Sequence, residues 1–205
     1  MDTKHRILDE ALTLFSQKGY ANVYVGEIAE KVGIKAPSLY KHYKNKQAIF
    51  DAIIAEMNNR YEEQAGALNI NGMNPSEDAG LYTNISEDRL VEIGKGLFLY
   101  FLHDDYTSRF RKILTIEQFH NKEFAGIYSS QYVDGPISYQ KMLFQYMVAS
   151  GAMIPTETDV MTLQFYAPIY MLLTLCDREP DREPEAIKLL EEHFRQFSKI
   201  YGGKQ

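Results

Sequence analysis

The chain of 205 residues carries 22 Lys and Arg against 28 Asp and Glu, a formal charge of −6, with 45% apolar and 13% aromatic residues. That apolar share supplies a packed core and excludes a disordered tail, and the length suits one or two domains of the usual ~100–200 residues. A single cysteine, Cys176, excludes an intramolecular disulfide framework and a Cys-based structural metal site. The net charge conceals a division: residues 1–46 hold eight Lys and Arg against five Asp and Glu, a surplus of +3, and the remainder holds 14 against 23, or −9. An anionic partner is attracted to the first part and repelled by the second, so two tasks are expected on one chain.

In chain order, residues 3–18 put Ile7, Leu8, Ala11, Leu14 and Phe15 on one helical face, with Gly19 as a stop. Residues 25–32 read as a short second helix with Ile28, Ala29 and Val32 inward, and Gly33 permits a tight turn. A third helix starts at Pro37, whose missing N–H costs nothing at the first helical position, and runs to about Tyr43 with Leu39 in the core. Asn45 caps a fourth from Lys46 to about Gln64, with Ala48, Ile49, Ala52, Ile53 and Met57 inward. The Gly- and Asn-rich stretch 66–84 is a connection with room for one short helical turn. At its end, the Asn84-Ile85-Ser86 glycosylation triplet is read as coincidental for a chain that is not exported. The body is expected as helices over 87–102, 105–127, 137–151, 157–175 and 184–200, with DREPDREP at 177–184 as a charged loop. The expected fold class is all-α, with an N-terminal helical domain at 1–46, a connecting helix at 47–65 and a larger helical domain at 66–205.

Two short helices around a glycine turn, braced by a longer helix, match the geometry that places a recognition helix in a major groove. Leu39 and Tyr43 share one side of the third helix, which leaves Ser38 and Lys41 facing base edges, Tyr40 and His42 flanking the groove, and Ala36 and Pro37 toward thymine methyls. Lys46, a cation at a helix N-terminus, opposes the helix dipole, and a phosphate gives it a reason to be there. Lys44, Tyr40 and the Val25-Gly26 start of the second helix would contribute nearby. The bland alternative is that Lys35, Lys41, Lys44 and Lys46 form a solvated face.

Gly19-Tyr20, Ile28-Ala29, Gly33-Ile34 and the run Ser38-Leu39-Tyr40-Lys41-His42-Tyr43-Lys44-Asn45-Lys46 together resemble the helix-turn-helix signature of the tetracycline-repressor-like (TetR/AcrR) family of transcriptional regulators. The resemblance covers roughly residues 3–50. It implies a homodimeric repressor that binds a palindromic double-stranded DNA operator and releases it when a small molecule occupies the C-terminal domain. It also implies that Pro37, Ser38, Tyr40, Lys41 and His42 approach bases or phosphates and that Lys46 holds a phosphate. Two places depart from the family pattern. Val23 stands where a Thr is common, and Lys35-Ala36 where a Ser or Thr often opens the recognition helix, so the contact falls to backbone N–H, Tyr24 or Lys35, or is absent.

In the body, the face Phe110, Ile113, Leu114, Glu117, Asn121, Phe124 and Tyr128 is apolar except at Glu117 and Asn121. A buried carboxylate needs a partner, either Arg111 or another body residue, or a polar group of a ligand. Glu117, Asn121, Tyr166 and Tyr170 are the candidate ligand-binding residues for an unidentified effector. His103-Asp104-Asp105, His120 and His193 lack metal-ligand spacing, so no metal and no cofactor is expected. The segment 164–173 is apolar on nearly all sides, and the last two helices are expected to close a four-helix bundle with a second copy. The N-terminus lacks the apolar segment of a signal peptide, and 160–176 falls short of the roughly 20 residues of a membrane span, so a cytoplasmic protein without membrane contact is expected. An enzyme is the weakest rival, since Cys176 ends an apolar helix and no nucleophile–base motif is visible. A helical protein-docking module without DNA binding is the other, and salt dependence separates it from a DNA reader.

Overall fold

The computed structural model describes residues 2–83 and 85–203, so Asn84 of the glycosylation triplet lies outside the described residues. Among the described residues the protein is all-α, and extended pairing is limited to an isolated bridge between Met153 and Gly202. The helices are α1 (Thr3–Lys18), α2 (Val25–Val32), α3 (Ala36–Tyr40), α4 (Lys46–Ala67), α5 (Pro75–Tyr82), α6 (Glu87–His103), α7 (Asp105–Glu117), α8 (Lys122–Ser129), α9 (Gly135–Ala149), α10 (Thr158–Arg178) and α11 (Glu183–Tyr201). A π-helical turn, Ser130–Asp134, precedes α9, and a 3-10 turn, Pro180–Arg182, precedes α11. The chain forms two compact units, one of residues 1–61 with 104–128 and one of 62–103 with 129–205. The unit that holds the helix-turn-helix is therefore larger than the segment 1–46, since it takes in α7 and most of α8.

In the first unit, Asp2 caps α1 by accepting the His5 N–H at 2.9 Å. Gly19 ends that helix at φ 81°, a conformation that favours glycine, while its N–H reaches the Phe15 carbonyl at 2.9 Å. The Glu27 carboxylate accepts the Tyr24 N–H at 3.0 Å and the Lys18 ammonium at 2.7 Å, which fixes the start of α2. Gly33, at φ 77°, turns the chain after α2 as expected, and the Ile34 N–H closes back onto the Ala29 carbonyl at 2.9 Å.

α3 is shorter than the predicted span to Tyr43. Beyond Tyr40 the chain continues as a turn whose His42 and Tyr43 N–H groups share the Leu39 carbonyl at 2.9 and 3.1 Å. Leu39 and Tyr43 are both buried, on the side expected. Asn45 caps α4 through the Ala48 N–H at 2.8 Å.

The interior of this unit is an aromatic cluster. Phe50 is fully buried, with ring centroids 4.7 Å from Phe124, 5.3 Å from Tyr20, 5.9 Å from Phe110 and 6.4 Å from Phe15. Offset and tilted rings at these separations add to the apolar burial of each side chain. Arg109 ties α7 to α1: its guanidinium donates to Asp9 Oδ1 at 2.8 Å and Thr13 Oγ1 at 2.6 Å. The single helix expected over 105–127 is interrupted at 118–121, where Asn121 Oδ1 accepts the Glu123 N–H at 2.9 Å and opens α8.

The second unit packs Phe98, Phe144, Phe165, Leu172, Leu190, Phe194 and Phe197 among the residues of its main core. The stretch read as a connection contains α5, an eight-residue helix capped by Asn74 with Pro75 in its first turn. The buried Asp78 on α5 accepts the Asn71 and Gly72 N–H groups, each at 2.8 Å, and the Tyr139 hydroxyl, so the preceding loop wraps a satisfied carboxylate. α10 is longer than its apolar stretch suggested. It has 21 residues and contains an 18-residue window of mean hydropathy 1.2, so by length and composition it is long and apolar enough to cross a membrane, which corrects the expectation that it falls short. Met161, Phe165, Leu172, Leu173 and Cys176 turn one side of it into the unit's core, while Val160, Leu163 and Met171 are exposed.

Candidate nucleic-acid interface

α2, the Gly33 turn and α3 present a contiguous set of exposed side chains. Lys35, Pro37, Tyr40, Lys41, His42 and Lys44 are exposed, and Ala36 and Ser38 are half-buried against the underlying helices. The buried Leu39 and Tyr43 anchor the segment from beneath, which turns Tyr40, 52% exposed, and Lys41 outward. At the start of α2, Val25 is half-buried, Gly26 is exposed, and a Cβ built on Gly26 would meet nothing within 4 Å, so the approach to these first-turn amides is open. Tyr24 beside them is 73% exposed. Such a large exposed aromatic at a helix N-terminus is a signal that its N-cap position alone does not reveal.

Lys46 is arranged differently from the expectation that a phosphate accounts for its place. Its ammonium donates to the Tyr20 carbonyl at 2.7 Å and the Val23 carbonyl at 2.8 Å, with the Ala21 carbonyl at 3.5 Å. It also lies 4.3 Å from the centre of the Tyr20 ring. Burial lowers its pKa, while the Glu117 carboxylate acts in the opposite direction. The carbonyls of the 20–23 turn thus supply the partners for this helix-opening cation. Val23, fully buried, takes part through its backbone, so the Val at a common Thr position leaves the turn held by its carbonyls.

Glu117 and Asn121 belong to the first unit, and Tyr166 and Tyr170 to the second. The partner that Glu117 requires is the Tyr20 N–H, 2.8 Å from Oε1, and Asn121 is engaged in capping α8. The Tyr166 hydroxyl donates to the Tyr132 carbonyl at 2.8 Å, and its ring centroid lies 6.4 Å from that of Tyr170. Among the described residues no group of three or more His, Cys, Asp or Glu side chains could hold a metal ion.

An exposed segment held on a buried helical brace, next to a glycine turn and a second short helix, is the geometry of a helix-turn-helix. Residues 7–53 match the family model for bacterial regulatory proteins of the tetR family. A stretch of 47 residues is 49% identical to the biofilm operon icaADBC HTH-type negative transcriptional regulator IcaR of Staphylococcus epidermidis, covering 23% of this chain and 25% of that one. For the Staphylococcus aureus (strain Newman) IcaR the figures are 46% over 48 residues, 23% and 26%. The matched stretch therefore spans about a quarter of the length of these relatives.

Over nearly the whole chain the fold is similar to that of SmeT, the repressor of the Stenotrophomonas maltophilia multidrug efflux pump SmeDEF. In its triclosan complex the TM-score is 0.67 at 16% identity, covering 100% of this chain and 93% of that one. It is also similar to AibR bound to isovaleryl coenzyme A and operator DNA, with a TM-score of 0.57 at 18% identity, covering 84% and 86%. Residues 7–53 thus match the tetR-family module, and the fold over the chain is similar to that of these solved regulators.

Proposed function

We propose that this protein is a ligand-responsive transcriptional regulator that binds a palindromic operator as a homodimer and is released by a small molecule. The observation that carries the reading is the exposed edge of α3 above the buried Leu39 and Tyr43, set beside the open start of α2. Lys41 donates to guanine acceptors and Ser38 pairs with a neighbouring base edge, while Ala36 and Pro37 meet thymine methyls. Tyr40, His42, Lys35, Lys44 and the Val25 and Gly26 amides take phosphates on either side, and Lys46 acts through the turn that it holds.

The dimer forms through α10 and α11. The exposed Val160, Leu163 and Met171 on α10 and Leu189 and Ile200 on α11 are apolar side chains that a four-helix bundle with a second copy would cover. Each head then meets one half-site, with the recognition segments about 34–36 Å apart. The SmeT complex with triclosan and the AibR complex with isovaleryl coenzyme A support an effector-binding body, and the naming of IcaR as a negative regulator supports repression. Tyr166 and Tyr170 remain the effector candidates, in the second unit, and a regulator of this kind works in the cytoplasm where its operator lies.

The test is selection of bound duplexes from random DNA by the full chain. An enriched palindrome is expected for the wild-type protein. Lys41→Ala is expected to relax base preference at one symmetric pair of positions, at about 1–3 kcal/mol of discrimination per site, while the rest of the selected sequence persists. An unchanged base preference would remove Lys41 from the base-reading set.

A further inference from the structure

Glu117 lies 64 residues beyond the helix-turn-helix match, yet its carboxylate is bound to the motif's first turn. It is 7% exposed, and Oε1 accepts the Tyr20 N–H at 2.8 Å. Tyr20 is gripped a second time through its carbonyl, which accepts from Lys46 at 2.7 Å, and a third time through its hydroxyl, which donates to Gln47 Oε1 at 2.9 Å. The same Lys46 ammonium holds Val23 O at 2.8 Å, two residues before α2 begins. Lys46 itself opens α4, three residues after the Tyr43 anchor of the recognition segment. A carboxylate, a turn and an ammonium thus join the end of α7 to the start of α2 and the start of α4.

Gly19 completes the fit. At φ 81°, a Cβ there would stand 2.8 Å from Glu117 Oε1, so the glycine makes room for the carboxylate as well as ending α1.

We propose that Glu117 is a positioning residue for DNA reading: by accepting the Tyr20 N–H it fixes the 19–23 turn, and with it the α2 amides and the recognition segment that follow. The DNA part of this proposal rests on the function proposed above; the positioning of the turn does not. A buried carboxylate is costly unless charge and hydrogen bonds compensate it. The Tyr20 amide, with the nearby positive charge of Lys46, gives that compensation a purpose other than effector binding.

The test uses the full chain carrying Glu117→Ala, Glu117→Gln or Glu117→Asp, with two readouts: hydrogen exchange of the Tyr20 amide, and affinity for the duplex selected by the wild-type protein. In Glu117→Ala the Tyr20 amide is expected to exchange at least tenfold faster, with α9–α11 amides unchanged, and operator affinity is expected to fall at least tenfold. Glu117→Gln retains an acceptor oxygen and is expected to stay within about threefold of wild type in both. Glu117→Asp, shorter by one methylene, is expected to fall between them, and it carries the test if the alanine variant does not fold.

Unchanged Tyr20 exchange in the alanine variant, or lost protection with undiminished operator affinity, would overturn the proposal. A loss in Glu117→Gln as large as in Glu117→Ala would also overturn it. If the wild-type protein binds no duplex, the functional reading fails while the amide exchange still decides whether Glu117 fixes the turn.

Discussion

Replacing Phe50 by alanine is expected to lower the stability of the first unit by about 4 kcal/mol and to abolish duplex binding near physiological temperature. Phe50 is fully buried and packs against rings from four segments of that unit: Phe15 on α1, Tyr20 in the first turn, Phe110 on α7 and Phe124 on α8. Truncation removes its apolar area, opens a cavity among four aromatic neighbours that cannot all collapse into it, and forfeits the ring–ring contacts. Urea denaturation followed by far-UV circular dichroism checks the loss. A change below about 1 kcal/mol would mean that the aromatic cluster does not hold the unit together.

Lys46→Met is the second large effect and separates two roles for this lysine. The methionine keeps the apolar stem but leaves the Tyr20 and Val23 carbonyls without their ammonium donor and removes the cation from the Tyr20 ring. Stripping a partner from half-buried carbonyls costs about 1–3 kcal/mol. The first unit is therefore expected to lose about 2 kcal/mol in urea denaturation, and duplex affinity to fall with it. The slope of log affinity against log salt is expected to stay at the wild-type value, because this ammonium is committed to carbonyls. A slope reduced by about 1, with stability unchanged, would instead make Lys46 a phosphate ligand.

The local structure of the reading head was legible in the sequence because its signals are local. Apolar spacing and the stops at Gly19 and Gly33 delimit α1 and α2, and Asn45 is a cap at the start of α4. What lies beyond one helix was less legible. Apolar residues at 110, 113, 114, 117, 121, 124 and 128 keep a helical period straight through the break at 118–121, and only the Asn121 cap marks the restart. In 66–84 the density of Gly and Asn hid α5, although Asn74, Pro75 and the acidic Glu77 and Asp78 are a sound helix-start signal.

Long-range partnership leaves no periodic trace at all. Periodicity shows that Phe110 and Phe124 face inward, but not that they complete the core beneath the helix-turn-helix, nor that Glu117 answers Tyr20 rather than an effector. A buried Glu117 needs a partner, and that partner is a backbone amide 97 residues away, which composition cannot signal. The same holds for Lys46, whose dipole-opposing position requires a counterpart that the turn's carbonyls supply.

The measurement that bears most directly on the DNA-reading function is the salt dependence of binding to a duplex selected from random sequence. A homodimer that engages six or more phosphates through its two heads is expected to enrich a palindrome with half-sites about 10 base pairs apart. Its affinity should then fall by about 10³-fold or more between about 50 and 200 mM salt. Selection that enriches no sequence, with binding insensitive to salt, would contradict the account.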